Sequence, residues 1–419
     1  MKRVVIVCFT FPPYPGIGGR RWAKFARCLN EKGNDIQVIA AIKNAESKSA
    51  WLRDTEMYKD RIHFLPSSYP SILTMVPQNI WQRIQYRLSL AYVKFRNREG
   101  NYFDPSSFFG PTATRKVEGF IQQGYNNVII SCGPFRMTRE LLQLKGKYPN
   151  VNFILDFRDP WANNKTAFGF QSIGEERLQA EIQMEKEVVT AADGIISVSE
   201  EMNEYFHEAH GKSRKAMICV PNGLDFADFP MAAVNVSDAS DRTWVFTGTL
   251  YAKSERVFSS FCDALNSIEN AGKWPLGLKL EFYGTVPSWF YKHTEKLGEK
   301  LRFLGNLALD DTYRKIAQSE ACMLFLTDDL AYSRSTKFYE YIAMKKPVLV
   351  MSPGGETGNY VAESKLGYDC KEAVMLQEVT RALEEIENGV FQFPSDYDVH
   401  AHDVMHLTDT IIERLLEHA

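Results

Sequence analysis

The sequence predicts an α/β protein: two Rossmann-like, doubly wound halves of parallel sheet facing each other across a cleft. Three observations predict it. Short β-branched runs alternate with longer amphipathic stretches from end to end, as strands do when joined by helices covering both sheet faces. The length, 419 residues, suits two or three cores at about 150 residues each. Residues 221–242, PNGLDFADFPMAAVNVSDASDR, break the alternation with Pro, Gly, Asn, Asp and Ser, as an interdomain linker does.

The elements follow in order. Strand-like runs in the first half, 1–220, are Val4–Phe9, Ile36–Ala40, Arg61–Leu65, Asn127–Ser131, Asn152–Phe157, Gly194–Val198 and Met217–Val220. Between the first two, Trp22, Phe25, Ala26 and Leu29 fall at i, i+3, i+4, i+7, a helix ending at Gly33. Its Arg20, Arg21, Lys24 and Arg27 are expected on a solvated face, only the first two reaching a phosphate at its start. In 80–98, Ile80, Ile84, Leu88, Ala91 and Phe95 line one helical stripe and Arg83, Arg87, Lys94 and Arg98 another. Such a basic amphipathic helix either lies on an anionic membrane surface or packs its stripe into the first half with the cations in water. The packed arrangement is preferred. The second half, 243–402, repeats the scheme with Trp244–Gly248, Leu278–Gly284, Leu301–Gly305, Cys322–Thr327 and Pro347–Met351. A final helix over 403–419, with Val404, Leu407, Ile411 and Leu415 at helical spacing, can pack on either half.

Composition narrows the class. Lys+Arg 49 against Asp+Glu 52 gives a net charge of −3, which argues against a nucleic-acid partner. The longest strictly apolar run near the start, Val4–Phe9, is far below the roughly 20 residues of a bilayer span. Pro12-Pro13 follow it at once, so no signal peptide is expected. The 7 cysteines are odd in number and scattered, with no Cys-x-x-Cys. A reduced, cytoplasmic compartment is the simplest reading, and the sequons at Asn164 and Asn235 then carry no glycan.

Two junctions can carry chemistry. The first strand runs through Thr10-Phe-Pro-Pro-Tyr-Pro-Gly-Ile-Gly-Gly19 directly into a helix. Glycines there let backbone approach an anion at the helix N-terminus, although the spacing fits neither Gly-x-Gly-x-x-Gly nor a P-loop. A tight strand–helix turn explains them equally well. The stronger stretch is Ser333-Arg-Ser-Thr-Lys-Phe-Tyr-Glu-Tyr-Ile-Ala-Met-Lys-Lys-Pro-Val-Leu-Val-Met351. It begins a helix near Ser335–Lys337, where Lys337, beside the Ser335 and Thr336 hydroxyls and free N–H groups, can neutralise a diphosphate. One turn on, Glu340 can accept both hydroxyls of a ribose. A helix whose first turns simply carry polar residues is the plainer alternative.

Lys337-Phe-Tyr-Glu-Tyr-Ile-Ala with Lys346-Pro-Val resembles the donor-site signature of family-4 (group 1) retaining glycosyltransferases of the GT-B fold. Further segments fall in that family's order: Phe11-Pro-Pro with Gly18-Gly19, Leu155-Asp-Phe-Arg-Asp-Pro-Trp161, Val198-Ser-Glu-Glu-Met202, Pro221-Asn-Gly-Leu-Asp225, Phe246-Thr-Gly-Thr-Leu250 and Phe303-Leu-Gly305. The resemblance spans residues 3 to 370 and implies retaining, hexosyltransferase-like transfer from a nucleotide-diphosphate-sugar without a metal or other cofactor. It implies that Lys337 holds the diphosphate and Glu340 the ribose. By the same resemblance Gly248, Thr249 and Lys253 (or Arg256) would complete the phosphate cradle, the loop after Gly305 would flank the base, and Gly18 and Gly19 would approach the diphosphate from the first half. Two positions depart from the family pattern: Tyr332 replaces a Glu eight residues before the ribose-binding one, and Thr249 replaces an Arg.

Asp156 and Asp159, at the end of a strand, can orient or deprotonate an acceptor hydroxyl, or an Arg–Asp pair within Asp156-Phe-Arg-Asp159 can simply cap the loop. In a front-face transfer the departing phosphate itself takes the proton, so no base is required. His207-x-x-His210, His402 with His406, Asp310-Asp311 and Asp328-Asp329 lack a convincing metal-ligand set. The expected activity is sugar transfer to a glycan or lipid-linked acceptor in polysaccharide or glycoconjugate synthesis, in the cytoplasm or on the inner face of the membrane. A nucleotide-sugar epimerase on the same frame and a non-catalytic GT-B binding scaffold are the alternatives.

Overall fold

The computed structural model describes residues 1–14, 17–42, 49, 51–164, 169–229, 242–327 and 334–416. Gly16, Asn235, Asp328, Asp329, Tyr332 and Ser333, much of 221–242 and part of 43–60 lie outside them. By their contacts, Met1–Val220 and Leu407–Ala419 form one unit and Pro221–His406 a second.

The first unit runs β1 (Arg3–Cys8), α1 (Arg20–Glu31), β2 (Asp35–Ala41), β3 (Ile62–Leu65), α2 (Ile80–Arg96), α3 (Gly110–Gln122) and β4 (Asn127–Cys132). It continues through α4 (Arg136–Leu142), α5 (Leu144–Lys147), β5 (Asn152–Phe157), α6 (Glu175–Ala191), β6 (Gly194–Ser197), α7 (Glu200–His210) and β7 (Met217–Cys219). Its 7-stranded sheet is parallel in the order β3-β2-β1-β4-β5-β6-β7. The strands are continuous apolar runs because helices cover both faces; Val4–Val7 and Ile154–Leu155 are wholly buried.

Helix α1 departs from the sequence expectation. Arg20, Arg21 and Lys24 are buried rather than solvated. Lys24 pairs with Asp54 at 3.1 Å, and Arg27 pairs with the same carboxylate at 3.3 Å. Arg20 lies over the Trp51 ring at 5.3 Å. These cations are interior because each meets an acid or an aromatic face distant in sequence, which periodicity does not report.

Helix α2 also corrects the sequence reading, since its predicted apolar stripe does not pack into the unit. Ile80, Trp81, Ile84, Leu88, Tyr92 and Phe95 are exposed. The helix is instead seated through Leu90 and Val93 on a small cluster with Leu73, Tyr102 and Phe108. Among the described residues no helix is long and apolar enough to cross a membrane.

The second unit runs β8 (Thr243–Thr249), α8 (Glu255–Asn270), β9 (Lys279–Thr285), α9 (Trp289–Thr294), β10 (Leu301–Gly305) and α10 (Leu309–Gln318). After β11 (Ala321–Phe325) come α11 (Thr336–Ala343), β12 (Val348–Ser352), α12 (Glu356–Glu363), β13 (Gly367–Lys371) and α13 (Met375–Glu387). The 6-stranded parallel sheet has the order β10-β9-β8-β11-β12-β13, with β13 an edge strand the sequence reading did not include. Side chains alternate across it. Trp244 and Phe246 join an aromatic layer with Phe258, Phe282 and Phe325, while Val245 faces Leu324, Phe338 and Ile342.

The described start of 221–242 packs within this unit. Leu224 is fully buried, and its backbone exchanges hydrogen bonds with His402 and Val404 at 2.9 and 2.8 Å. Helix α14 (Val404–Ile411) and a following π-turn carry the chain back to the first unit. There Asp409 pairs with Lys32 at 2.7 Å, and the Leu415 carbonyl accepts from the Asn152 side chain at 2.9 Å.

Candidate functional site

In an open parallel sheet, strand order reverses where consecutive connections leave to opposite sides, and a crevice opens there beyond the carboxyl ends. In the second unit that point lies between β8 and β11. The C-terminal end of β8 is Thr247-Gly248-Thr249, and the helix following β11 is α11. Tyr341 ties the two together: its hydroxyl lies 3.2 Å from the Thr247 backbone N–H and 3.1 Å from its Oγ1.

Lys337 lies in the first turn of α11 and reaches back over the end of β8. Its Nζ stands 4.8 Å above the Phe246 ring and 3.4 Å from the Thr249 carbonyl oxygen. Gly248 makes room for it. A Cβ at that position would lie 2.3 Å from Lys337 Cε and 2.8 Å from Nζ, at a φ of +111° that favours glycine. Gly284, opposite it on β9, has φ +114°, and a Cβ there would meet the Gly248 carbonyl oxygen at 2.1 Å. Burial pulls the Lys337 ammonium down to about 8, against an opposing pull from the Glu340 carboxylate. Glu340, one turn further along the helix, is itself buried.

The helix start supplies donors. Ser335 is the N-cap of α11, yet its hydroxyl makes no capping bond, and its buried Oγ has no partner among the described residues. Thr336 follows as the first helical residue. A buried hydroxyl left unspent beside a helix N-terminus and an ammonium is suited to an anion. Thr249 and Lys253 are exposed on the chain leaving β8, whereas Arg256 is held by Glu372. Gly305 closes β10 with φ +81° and open space around it.

The sequence reading missed part of this edge. After β12, Gly354 and Gly355 (φ +132° and +128°) lead into Glu356 at the start of α12. Arg334, just before the α11 N-cap, pairs with Glu356 at 3.4 Å and lies 4.0 Å over the Tyr360 ring. The signal was present in sequence as a Gly-Gly pair between strand and helix. Gly284 gave none, since its role depends on the facing strand.

In the first unit, Gly18 and Gly19 serve the strand–helix turn. The Gly18 carbonyl accepts from Arg158 at 2.7 Å, and a Cβ on Gly19 would lie 3.0 Å from Pro12. Asp156 is fully buried at the end of β5, accepting from Arg21 at 2.8 Å and from Trp22 Nε1 at 2.7 Å. Its partner is therefore the α1 arginine, which also bonds the Val220 carbonyl at 2.9 Å. Asp159 stays partly exposed, 3.6 Å from the Arg158 guanidinium. His207 contacts the Lys212 carbonyl, His210 faces Glu185 at 3.3 Å, and His402 contacts the Tyr397 hydroxyl at 2.8 Å. Among the described residues no disulfide joins any of the seven cysteines; burial pushes the Cys8, Cys132 and Cys370 thiols up, so they act as small hydrophobes.

No protein-family model matches the chain, and no curated protein matches its sequence. Solved structures do match its fold. Sucrose-phosphate synthase from Thermosynechococcus elongatus aligns over 100% of this chain and 97% of its own at 12% identity, with a TM-score of 0.60. The UDP-GlcNAc 2-epimerase of Neisseria meningitidis, bound to UDP-GlcNAc, covers 100% of both chains at 13% identity and a TM-score of 0.56. A glycosyltransferase from Rickettsia africae covers 99% of this chain and 94% of its own at 12% identity and 0.54. The chain has the GT-B fold, two Rossmann-like parallel-sheet domains, as its sequence predicts.

Proposed function

We propose that this chain is a retaining glycosyltransferase that uses a nucleotide-diphosphate-sugar and acts on a glycan or lipid-linked acceptor in glycoconjugate synthesis. One observation carries the reading: the Lys337 ammonium is held against Gly248 at the switch point of the second sheet, one helical turn from Glu340. An ammonium partly withdrawn from water, beside a helix N-terminus, gains most when a diphosphate neutralises it. Ser335 and Thr336 add hydroxyl donors, Gly248, Thr249 and Lys253 complete the cradle, Glu340 takes the ribose hydroxyls, and the chain at Gly305 flanks the base. Solved structures of this fold include an epimerase with UDP-GlcNAc bound, which supports a nucleotide-sugar ligand.

In the proposed reaction the bond from the sugar's anomeric carbon to the diphosphate oxygen breaks while the acceptor oxygen bonds on the same face. The acceptor proton passes to the departing phosphate oxygen. Lys337 and the α11 N-terminus stabilise the charge that builds on the leaving diphosphate, a role no bound metal need fill. Asp156, enclosed by Arg21 and Trp22, holds the end of β5, and Asp159, partly exposed beside Arg158, is the carboxylate we assign to orienting an acceptor hydroxyl.

The epimerase likeness, over the full length of both chains, favours a second reading. Product analysis on a nucleotide-sugar without acceptor separates the two. A transferase leaves the sugar's configuration unchanged and releases at most slow hydrolysis products. Conversion of the donor to its epimer would replace the transferase reading.

A further inference from the structure

We infer that α2 is an interfacial anchor that docks the first unit on an anionic lipid surface. The helix has three sides. Leu90 and Val93 seat it on the unit. The opposite side is apolar and open: Ile80, Trp81, Leu88 and Phe95 are 71%, 80%, 67% and 70% exposed, with Ile84 and Tyr92 completing the stripe. Arg83, Arg87, Lys94 and Arg98 run along one border of this stripe, and Arg96 lies on the other. None of these five cations forms an ion pair with a described residue, and no acid lies between Ile80 and Arg98. Lys94 and Arg96 lean over the Tyr102 and Phe108 rings at 4.8 and 4.3 Å, at the seam between helix and unit.

Six large apolar side chains left in water along 17 residues need a cover. The charge argues which cover it is. A flat apolar stripe bordered by cations, with tryptophan and tyrosine beside it, matches the boundary between acyl chains and anionic headgroups. A second copy of the same helix would bring five cations against five. Exposed Met75 and Val76, just before the helix, extend the same apolar surface. The inference uses nothing from the donor crevice, so it stands or falls separately from the proposed activity.

The test is co-sedimentation of the full chain with phosphatidylcholine vesicles, with and without about one-third phosphatidylserine. The parent should bind the anionic vesicles at least about tenfold more tightly than the neutral ones, and rising salt should release it. Leu88→Ser with Phe95→Ser should lower binding at least about tenfold, and Arg83→Gln with Arg87→Gln about ten- to thirtyfold. Both pairs are exposed, so thermal melting should not move. Three outcomes overturn the inference: the parent stays with the supernatant, the variants bind like the parent, or the stripe proves to hold a dimer. The last would appear as a concentration-dependent dimer in sedimentation equilibrium that the serine pair dissociates.

Discussion

Gly248→Ala isolates the geometry on which the donor site depends. The added methyl would sit 2.3 Å from Lys337 Cε and 2.8 Å from Nζ, well inside van der Waals contact. The lysine tail must swing away, because the backbone at φ +111° is fixed between β9 and the helix that Tyr341 anchors. Two losses follow. Placing a non-glycine residue at that backbone conformation costs about 1–3 kcal/mol, a Tm decrease of several degrees. Removing the ammonium from the crevice forfeits a charge-assisted contact to diphosphate of about 1.5–3 kcal/mol, or about ten- to a hundredfold in Kd. Gly277→Ala is the control, since Gly277 has φ +77° and nothing near its missing Cβ. It should lose comparable stability and no affinity. Calorimetric titration of UDP and GDP into both variants reads the difference. If Gly248→Ala binds within about twofold of Gly277→Ala, the lysine is not held where diphosphate binds.

Three further outcomes follow from buried charge. Asp156→Asn should lose about 3 kcal/mol of stability, because it breaks the buried ion pair with Arg21 at 2.8 Å; a melt matching the parent's would show that the pair does not hold the end of β5. Lys337 starts from a value of about 8, and a bound anion favours its charged form, so diphosphate affinity should fall by up to about tenfold per pH unit above that value, with proton uptake on binding. Calorimetry in buffers of different ionisation heat checks this, and a pH-independent affinity with no proton uptake would contradict it. Burial, with Arg334 adding, pulls His402 down to about 4, so the native state refuses a proton that the unfolded chain accepts below about 6.5. Its contribution is present above that pH and fades as pH falls towards 4; after allowance for partial exposure the loss is at most about 3 kcal/mol, and His402→Gln should flatten that part of the slope in acid melts.

The fold was largely legible because parallel strands buried on both faces are written as continuous apolar runs such as Val4–Val7 and Val348–Met351. Strand β13 was not, since Asp369 and Lys371 interrupt a run of only five residues at the sheet edge. At the candidate site, Lys337 and Glu340 could be read together because one helix turn carries both. Their setting could not. The approach of Lys337 to Gly248 joins positions 89 residues apart, and the Gly248–Gly284 contact is a matter of strand pairing. The same limit hid the cations of α1: nothing near Lys24 or Arg21 in sequence announces Asp54 or Asp156. In α2 two apolar stripes compete, and periodicity alone does not say whether Ile84 or Val93 faces inward.

In the proposed site Lys337 takes the diphosphate and Glu340 the ribose of one ligand, and calorimetric titration of the parent, Lys337→Ala and Glu340→Ala with UDP, GDP and inorganic pyrophosphate separates the two roles. Lys337→Ala should weaken a nucleotide and pyrophosphate alike, whereas Glu340→Ala should weaken the nucleotide and leave pyrophosphate unchanged. Parent-like binding of every ligand by both variants, or a parent that binds none of them, would contradict the account.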